Sequence, residues 1–308
     1  VNATGYGTSA KFDLYERMIR FGLQRLNILD KFDILEFQRI GVPEPNPRSQ
    51  LRSTTYLRIF AETSDQNVNL GLASLLGEFA MQHYSGFHLS SNQAAAIPRP
   101  YLSYYPAIWP QSKLKTSINI LDSARSANAT HTTNIFTTPP SKFENLEKRQ
   151  SYETTNPVDL KSFGPTTKAR LGDIVLARSG DKGGNANIGF FIPTTLPSSY
   201  NPSSNPLYSE SWDWLRTLLT VSKLKEMFAE SWDSSYFIER VEFPQIMAVH
   251  FVVYGVLGRG VSGSSRLDAF AKGMGDWLRD VLVDVPVRFL EGRGLGRNGV
   301  RKNESAML

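Results

Sequence analysis

The chain has 308 residues, a mass of 34.5 kDa, 41% hydrophobic and 20% charged residues and a formal charge of +5. That supplies a sizeable core and predicts two domains at about 150 residues each. The absence of cysteine excludes disulfides, thiolate metal sites, Fe–S clusters and cysteine nucleophiles.

No apolar run reaches the ~18 to 20 residues of a membrane span, and the first residue is Val1, with no signal peptide at the start. A fragment or processed chain in the cytoplasm is expected. The mild positive balance is densest at Arg293, Arg297, Arg301 and Lys302. This reads as a solvated basic tail over 291–308, and no nucleic-acid partner is expected.

Residues 1–115 form the first patterned block. Phe12, Tyr15, Ile19, Leu23 and Leu26 recur at helical spacing. A strand is predicted from Phe32 to Ile40, followed by a Pro-rich loop over 41–50. Thr54–Glu62 alternates, with Leu57, Ile59 and Ala61 on the core face and Arg58 on the wetter one. A helix follows over Val68–Tyr84, and a last short strand is expected around Tyr101–Ile108. A strand within residues 1–10 would complete a βαββαβ unit.

Residues 116–170 are rich in Ser, Thr and Asn and lack periodicity, which predicts a long polar linker. Residues 171–290 form the second block. Strands are predicted at Leu171–Ala177, Ile188–Ile192, Tyr236–Phe243, Met247–Tyr254 and Val285–Leu290, and helices at Trp212–Trp232 and Leu267–Leu282. The fold class is therefore α+β: two small mixed or antiparallel sheet units with helices on one face, joined by the linker.

Two glycine-rich segments are the candidate chemistry. In the first, Arg178, Ser179, Asp181, Lys182, Asn185 and Asn187 surround Gly180, Gly183 and Gly184. Read as a ten-residue loop, it gathers these side chains at one sheet end, and its backbone N–H groups converge on an anion. Lys182 neutralises a carboxylate or phosphate or polarises a carbonyl, and Asp181 serves as base. The competing reading is a surface turn held by an ion pair. Neither GxxxxGK[ST] nor GxGxxG is present, so no nucleotide loop is expected.

The second segment, Gly258–Arg266, carries Arg259, Ser265 and Arg266 ahead of a predicted helix. Ser265 and Asp268 have the spacing of a capping box, and the helix start suits an anion. Asp268 and Lys272, four apart, read as a surface pair. The four histidines, His83, His88, His131 and His250, show no metal-ligand spacing. No metal and no cofactor is expected, and His250 reads as a core or sheet-face residue of an apolar strand.

LGDIVLARSGDKGGNANIGFF (171–191), and VHFVVYGVLGRGVSGSSRLDAFAKGMGDWL (249–278) with VDVPV (283–287), resemble the small C-terminal domain of the acyclic terpene utilisation (AtuA-like) family. Residues 32–62 and 99–112 resemble the end of its large N-terminal domain in fungal-type members. The resemblance implies that the larger part of that domain precedes Val1, and that the substrates are small molecules, acyl, carboxylate or CoA-linked. Arg178, Asp181, Lys182, Asn185, Asn187, Asp268 and Lys272 match its polar positions, as do Gly180, Gly183 and Gly258.

Two functions follow as expectations. One is an enzyme of small-molecule or secondary metabolism, a lyase, isomerase or hydrolase working by proton transfer with anion stabilisation. The other is a noncatalytic ligand-binding or subunit scaffold. A homo-oligomer is expected because small sheets leave exposed edges.

Overall fold

The computed structural model describes residues 1–79, 84–89, 93–103, 105, 107–122, 131–138, 142, 144, 150–193 and 206–291. The expectations for His83 and for the basic tail from residue 292 onward lie outside the described residues. The chain divides into two compact units, Val1–Leu102 and Ser103–Leu308. Among the described residues, no helix is long and apolar enough to cross a membrane.

In the N-terminal unit the first strand does form. The order is β1 (Asn2–Thr4), α1 (Thr8–Arg25), β2 (Ile34–Ile40), β3 (Thr54–Glu62), α2 (Gln66–Glu78) and β4 (Phe87–His88). The antiparallel sheet runs β2-β3-β1-β4, a split βαββαβ arrangement. Helix α1 buries Phe12, Tyr15, Ile19 and Leu23 of the stripe read from the sequence, while Leu26 caps the helix end and is exposed. Leu57 is buried, Ile59 and Ala61 pack on the same core, and strand alternation puts Arg58 on the opposite face. Asp65 caps α2, its carboxylate accepting the Asn67 N–H at 2.9 Å.

The last strand lies at Phe87–His88 rather than near Tyr101–Ile108, whose described residues join no strand. The cause is packing. Phe87 meets the rings of Tyr15 and Tyr84 at 5.5 and 5.3 Å, whereas Leu102 and Ile108 are almost fully exposed.

The C-terminal unit contains β5 (Ser117–Asp122), β6 (His131–Phe136), β7 (Thr166–Arg170), β8 (Leu176–Lys182), β9 (Asn185–Phe191), α3 (Pro206–Leu218), α4 (Val221–Phe228), β10 (Phe237–Phe243), β11 (Ala248–Tyr254), α5 (Met274–Arg279), β12 (Leu282–Pro286) and α6 (Val287–Glu291). The stretch expected to be a linker holds structure: β5 and β6 pair as a hairpin, and β7 pairs with β12.

Residues 151–163 strap onto the same unit. The fully buried Arg240 guanidinium ties them down, donating to the Tyr152 carbonyl at 2.7 Å and to the Thr154 hydroxyl at 3.3 Å. It also takes the Leu219 and Arg216 carbonyls, both at 2.7 Å, which α3 leaves free at its end. The helix expected over Trp212–Trp232 breaks there, and the Thr220 hydroxyl caps α4 by accepting the Lys223 N–H.

The main sheet runs β10-β11-β9-β8, all antiparallel. Its helix-covered face buries Ala186, Ile188, Phe190, Val249, Phe251, Val253 and Ile238 under residues of α3, α4 and α5. Three further boundaries differ from expectation. Leu171–Asp173 is a 3-10 turn closed by the Asp173 carboxylate on the Arg170 N–H, so the strand begins only at Leu176. The helix expected from Leu267 is only Met274–Arg279: Ala271 sits at φ +52°, and the Asp268 carboxylate bonds the N–H groups of Lys272 and Gly273. The last strand ends at Pro286, and Phe289 on α6 packs against Phe163 and Trp214.

Candidate functional site

The segment expected to be a ten-residue loop is a tight hairpin. Lys182 pairs with Asn185, Asp181 with Ala186, Gly180 with Asn187, Ser179 with Ile188 and Arg178 with Gly189, leaving only Gly183–Gly184 as the turn. Gly183 has φ +63°, the left-handed value that two-residue hairpins require. The polar residues of the segment are thus dealt onto two faces by strand alternation.

Ala177, Ser179 and Asp181 share the side of Ala186 and Ile188, towards α5. Arg178, Gly180 and Lys182 share the open side with Asn185, Asn187 and Gly189. Asp181 and Lys182, expected to act together, point to opposite faces.

The two glycine-rich segments do meet. The Leu257 N–H donates to the Gly184 carbonyl at 2.9 Å, and the Gly255 N–H donates to Asn185 Oδ1 at 3.0 Å. A Cβ at Gly184 would lie 2.3 Å from the Gly258 carbonyl oxygen, and one at Gly260 would lie 3.1 Å from that of Gly183. Backbone packs directly on backbone, which only glycine permits at Gly184.

Several expected binding residues brace this arrangement. Ser179 Oγ accepts the Gly275 N–H at 2.8 Å and donates to the Lys272 carbonyl at 3.3 Å. Asp268 holds the 272–273 backbone and starts no helix, so the Ser265–Asp268 capping box does not form. The Arg266 guanidinium hydrogen-bonds the Tyr236 hydroxyl and lies over its ring at 5.6 Å. Arg259 and Ser265 are half-buried in the turns between β11 and α5.

Three cations remain on the open side. Arg178 and Lys182 flank Gly180 along β8, the edge strand. The Lys272 ammonium lies 3.5 Å from where a Gly180 Cβ would stand. Lys182 Nζ donates to the Asp181 carbonyl at 3.1 Å, and among the described residues none of the three cations meets a carboxylate. Asn187, half-buried, faces Gly180 across the pair. The empty side-chain position at Gly180 therefore has the Lys272 ammonium against it, with Arg178 and Lys182 two residues away on the same strand face and Asn187 across the pair.

The sequence reading paired Lys272 with Asp268 and so missed the ammonium at Gly180. The period-two spacing of Arg178, Gly180 and Lys182 was the signal that places them on one strand face.

A cavity of about 630 Å³ occurs in the N-terminal unit, between β3, α2 and residues 94–99. Leu72, Leu76, Phe60 and Ile97 supply apolar wall, and Arg58 and Arg99 its charge. The Arg58 guanidinium donates to Gln38 Oε1 at 2.7 Å and lies over Phe60 at 5.0 Å. Among the described residues its wall contains no carboxylate, histidine or lysine. Nothing in the sequence reading pointed to this cavity.

Residues 1–120 match the family described as acyclic terpene utilisation family protein AtuA, and residues 169–284 match the AtuA ferredoxin-like domain. No curated protein and no solved structure matches the chain.

Proposed function

The chain is an AtuA-like family protein implicated in small-molecule metabolism, with an AtuA domain followed by an AtuA ferredoxin-like domain, and on that premise we propose that it is an enzyme whose substrate is an anionic acyl, carboxylate or CoA-linked molecule held at Gly180. The observation that carries this reading is the set of three cations around a side-chain-free position, Arg178, Lys182 and Lys272 about Gly180. Cations without carboxylate partners repel one another, and an anion relieves that cost. Asn187 adds an amide, and two or more charge-assisted hydrogen bonds fix a carboxylate or phosphate in orientation.

The chemistry that suits this arrangement is proton transfer, with the developing oxyanion stabilised by the cations. Isomerase, lyase and hydrolase reactions share that step. In this reading the protein is a cytoplasmic homo-oligomer of secondary metabolism and a fungal-type member of the family. The second reading, a ligand-binding scaffold, is favoured by the 630 Å³ cavity, which has volume for a small molecule and, among the described residues, no carboxylate, histidine or lysine in its wall.

Native mass spectrometry separates the two. The chain is incubated with pooled acyl-CoAs and read beside Lys182→Ala and Lys272→Ala. Loss of a bound or converted species in both variants supports the Gly180 site. Equal binding and turnover in all three refutes it, and binding without conversion that disappears in Leu76→Trp supports the scaffold.

A further inference from the structure

The open face of the main sheet carries a second polar group beside the cations. His250 lies in the central strand β11, paired across to Gly189, which in turn pairs with Arg178. All three belong to one row on the open side. With no side chain at Gly189, a slot separates the Arg178 and His250 positions in this row. Two strand spacings of about 4.8 Å each separate their backbones. His250 Cδ2 lies 3.8 Å from where a Gly189 Cβ would stand, so the imidazole borders this slot directly.

The imidazole is half-buried, with the Phe243 ring edge-on at 6.1 Å. The buried Glu239 carboxylate, held by the Tyr254 hydroxyl at 2.7 Å, lies on the same face. Burial pushes the His250 proton affinity down, and Glu239 pulls partly the other way. The imidazole is thereby kept neutral near pH 7, the form that accepts a proton.

We infer that His250, rather than Asp181, is the group that exchanges a proton with the ligand held at Gly180, an inference that rests on the anion-site reading above. Asp181 projects to the helix-covered side, while His250 shares the ligand's side. In the step, an imidazole nitrogen takes the proton and the electron pair of the broken bond stays on the ligand. The resulting negative charge faces Arg178, Lys182 and Lys272. The return step delivers the same proton from the imidazolium. Glu239 on the same face favours its charged form, and burial opposes that form.

The test uses inorganic phosphate as the probe and the unaltered chain. Histidine resonances are followed by NMR across pH 5 to 8, with and without phosphate, alongside the backbone amides of residues 178–189. The expected result is that phosphate shifts the Gly180 and Lys182 amides and raises the His250 midpoint by about half a pH unit. His250→Asn then binds phosphate with only the pH dependence of the probe's own second ionisation, while Asp181→Asn keeps the additional His250 component. Amide shifts with an unmoved His250 overturn the His250 role and leave the anion site standing. Phosphate that moves neither overturns both.

Discussion

The two units each build a four-stranded antiparallel sheet with helices over one face, yet they treat the opposite face differently. On the N-terminal sheet the polar groups satisfy one another: Glu36 accepts from Gln38, Gln38 accepts from Arg58, and Arg58 covers Phe60. On the C-terminal sheet Arg178, Lys182 and Lys272 gather around Gly180 without a carboxylate among the described residues. A face whose charges are internally matched offers an anion no unpaired charge. A face that leaves like charges together stores repulsion that a ligand of opposite sign relieves. The contrast teaches that fold alone does not mark a site; the proposed one rests on the unmatched charges.

The largest expected effect comes from removing what holds the C-terminal sheet and its strap together. Arg240→Ala takes the guanidinium donors from the Leu219 and Tyr152 carbonyls and leaves the Arg216 carbonyl and the Glu242 carboxylate to share the Thr154 hydroxyl. It should cost about 3–5 kcal/mol in denaturant unfolding of that unit. Arg58→Ala, at a half-exposed position in the other sheet, should cost far less and leave anion binding unchanged.

Next comes a pair of glycines that separates folding from binding. Gly184→Ala forces a methyl onto the Gly258 carbonyl at 2.3 Å, so backbone must move, and thermal unfolding should show a loss of about 1–3 kcal/mol. Gly180→Ala places its methyl at ordinary contact from Lys272, 3.5 Å. That variant should fold normally and lose anion affinity by about tenfold.

The fold was largely legible in the sequence where periodicity and burial agree. Thr54–Glu62 alternates because Leu57, Ile59 and Ala61 meet the N-terminal core, and the 3–4 spacing of Phe12 to Leu23 reports the helix face that fills it. The errors fell where a side chain's hydrogen bonds override pattern. Arg240 captures the end of α3 inside what reads as one helix, and Asp268 holds backbone that reads as helix from Leu267.

The site was half legible. Arg178, Lys182 and Asn187 of the proposed site were named and Lys272 was read as a surface pair; a loop reading of 178–187 put Asp181 and Lys182 together, and only strand register shows that they face apart. The meeting of the two glycine-rich segments is a long-range contact that spacing does not encode.

The smallest effects are titrations, and they differ in sign between the units. Burial raises Tyr15 and Tyr84 to about 12, with the Tyr15 charge adding to the rise at Tyr84. Their contribution is complete below pH 10 and is lost as pH rises from 10 towards 12, because the unfolded chain ionises first. His250 moves the other way. Burial lowers it below 6.5, so its contribution is complete above that pH and is lost as pH falls below it. Unfolding followed against pH by unit-specific tryptophan fluorescence, all five tryptophans lying beyond residue 102, should show the acid-side loss in the C-terminal unit. Its slope should disappear in His250→Asn.

The most direct test of the central claim is calorimetric titration of coenzyme A into the chain and into Gly180→Ala, with both melting temperatures recorded. Binding about tenfold weaker in the variant, at an unchanged melting temperature, is the predicted result. Equal affinity in the two proteins, or no binding by either, would contradict an anion site at Gly180.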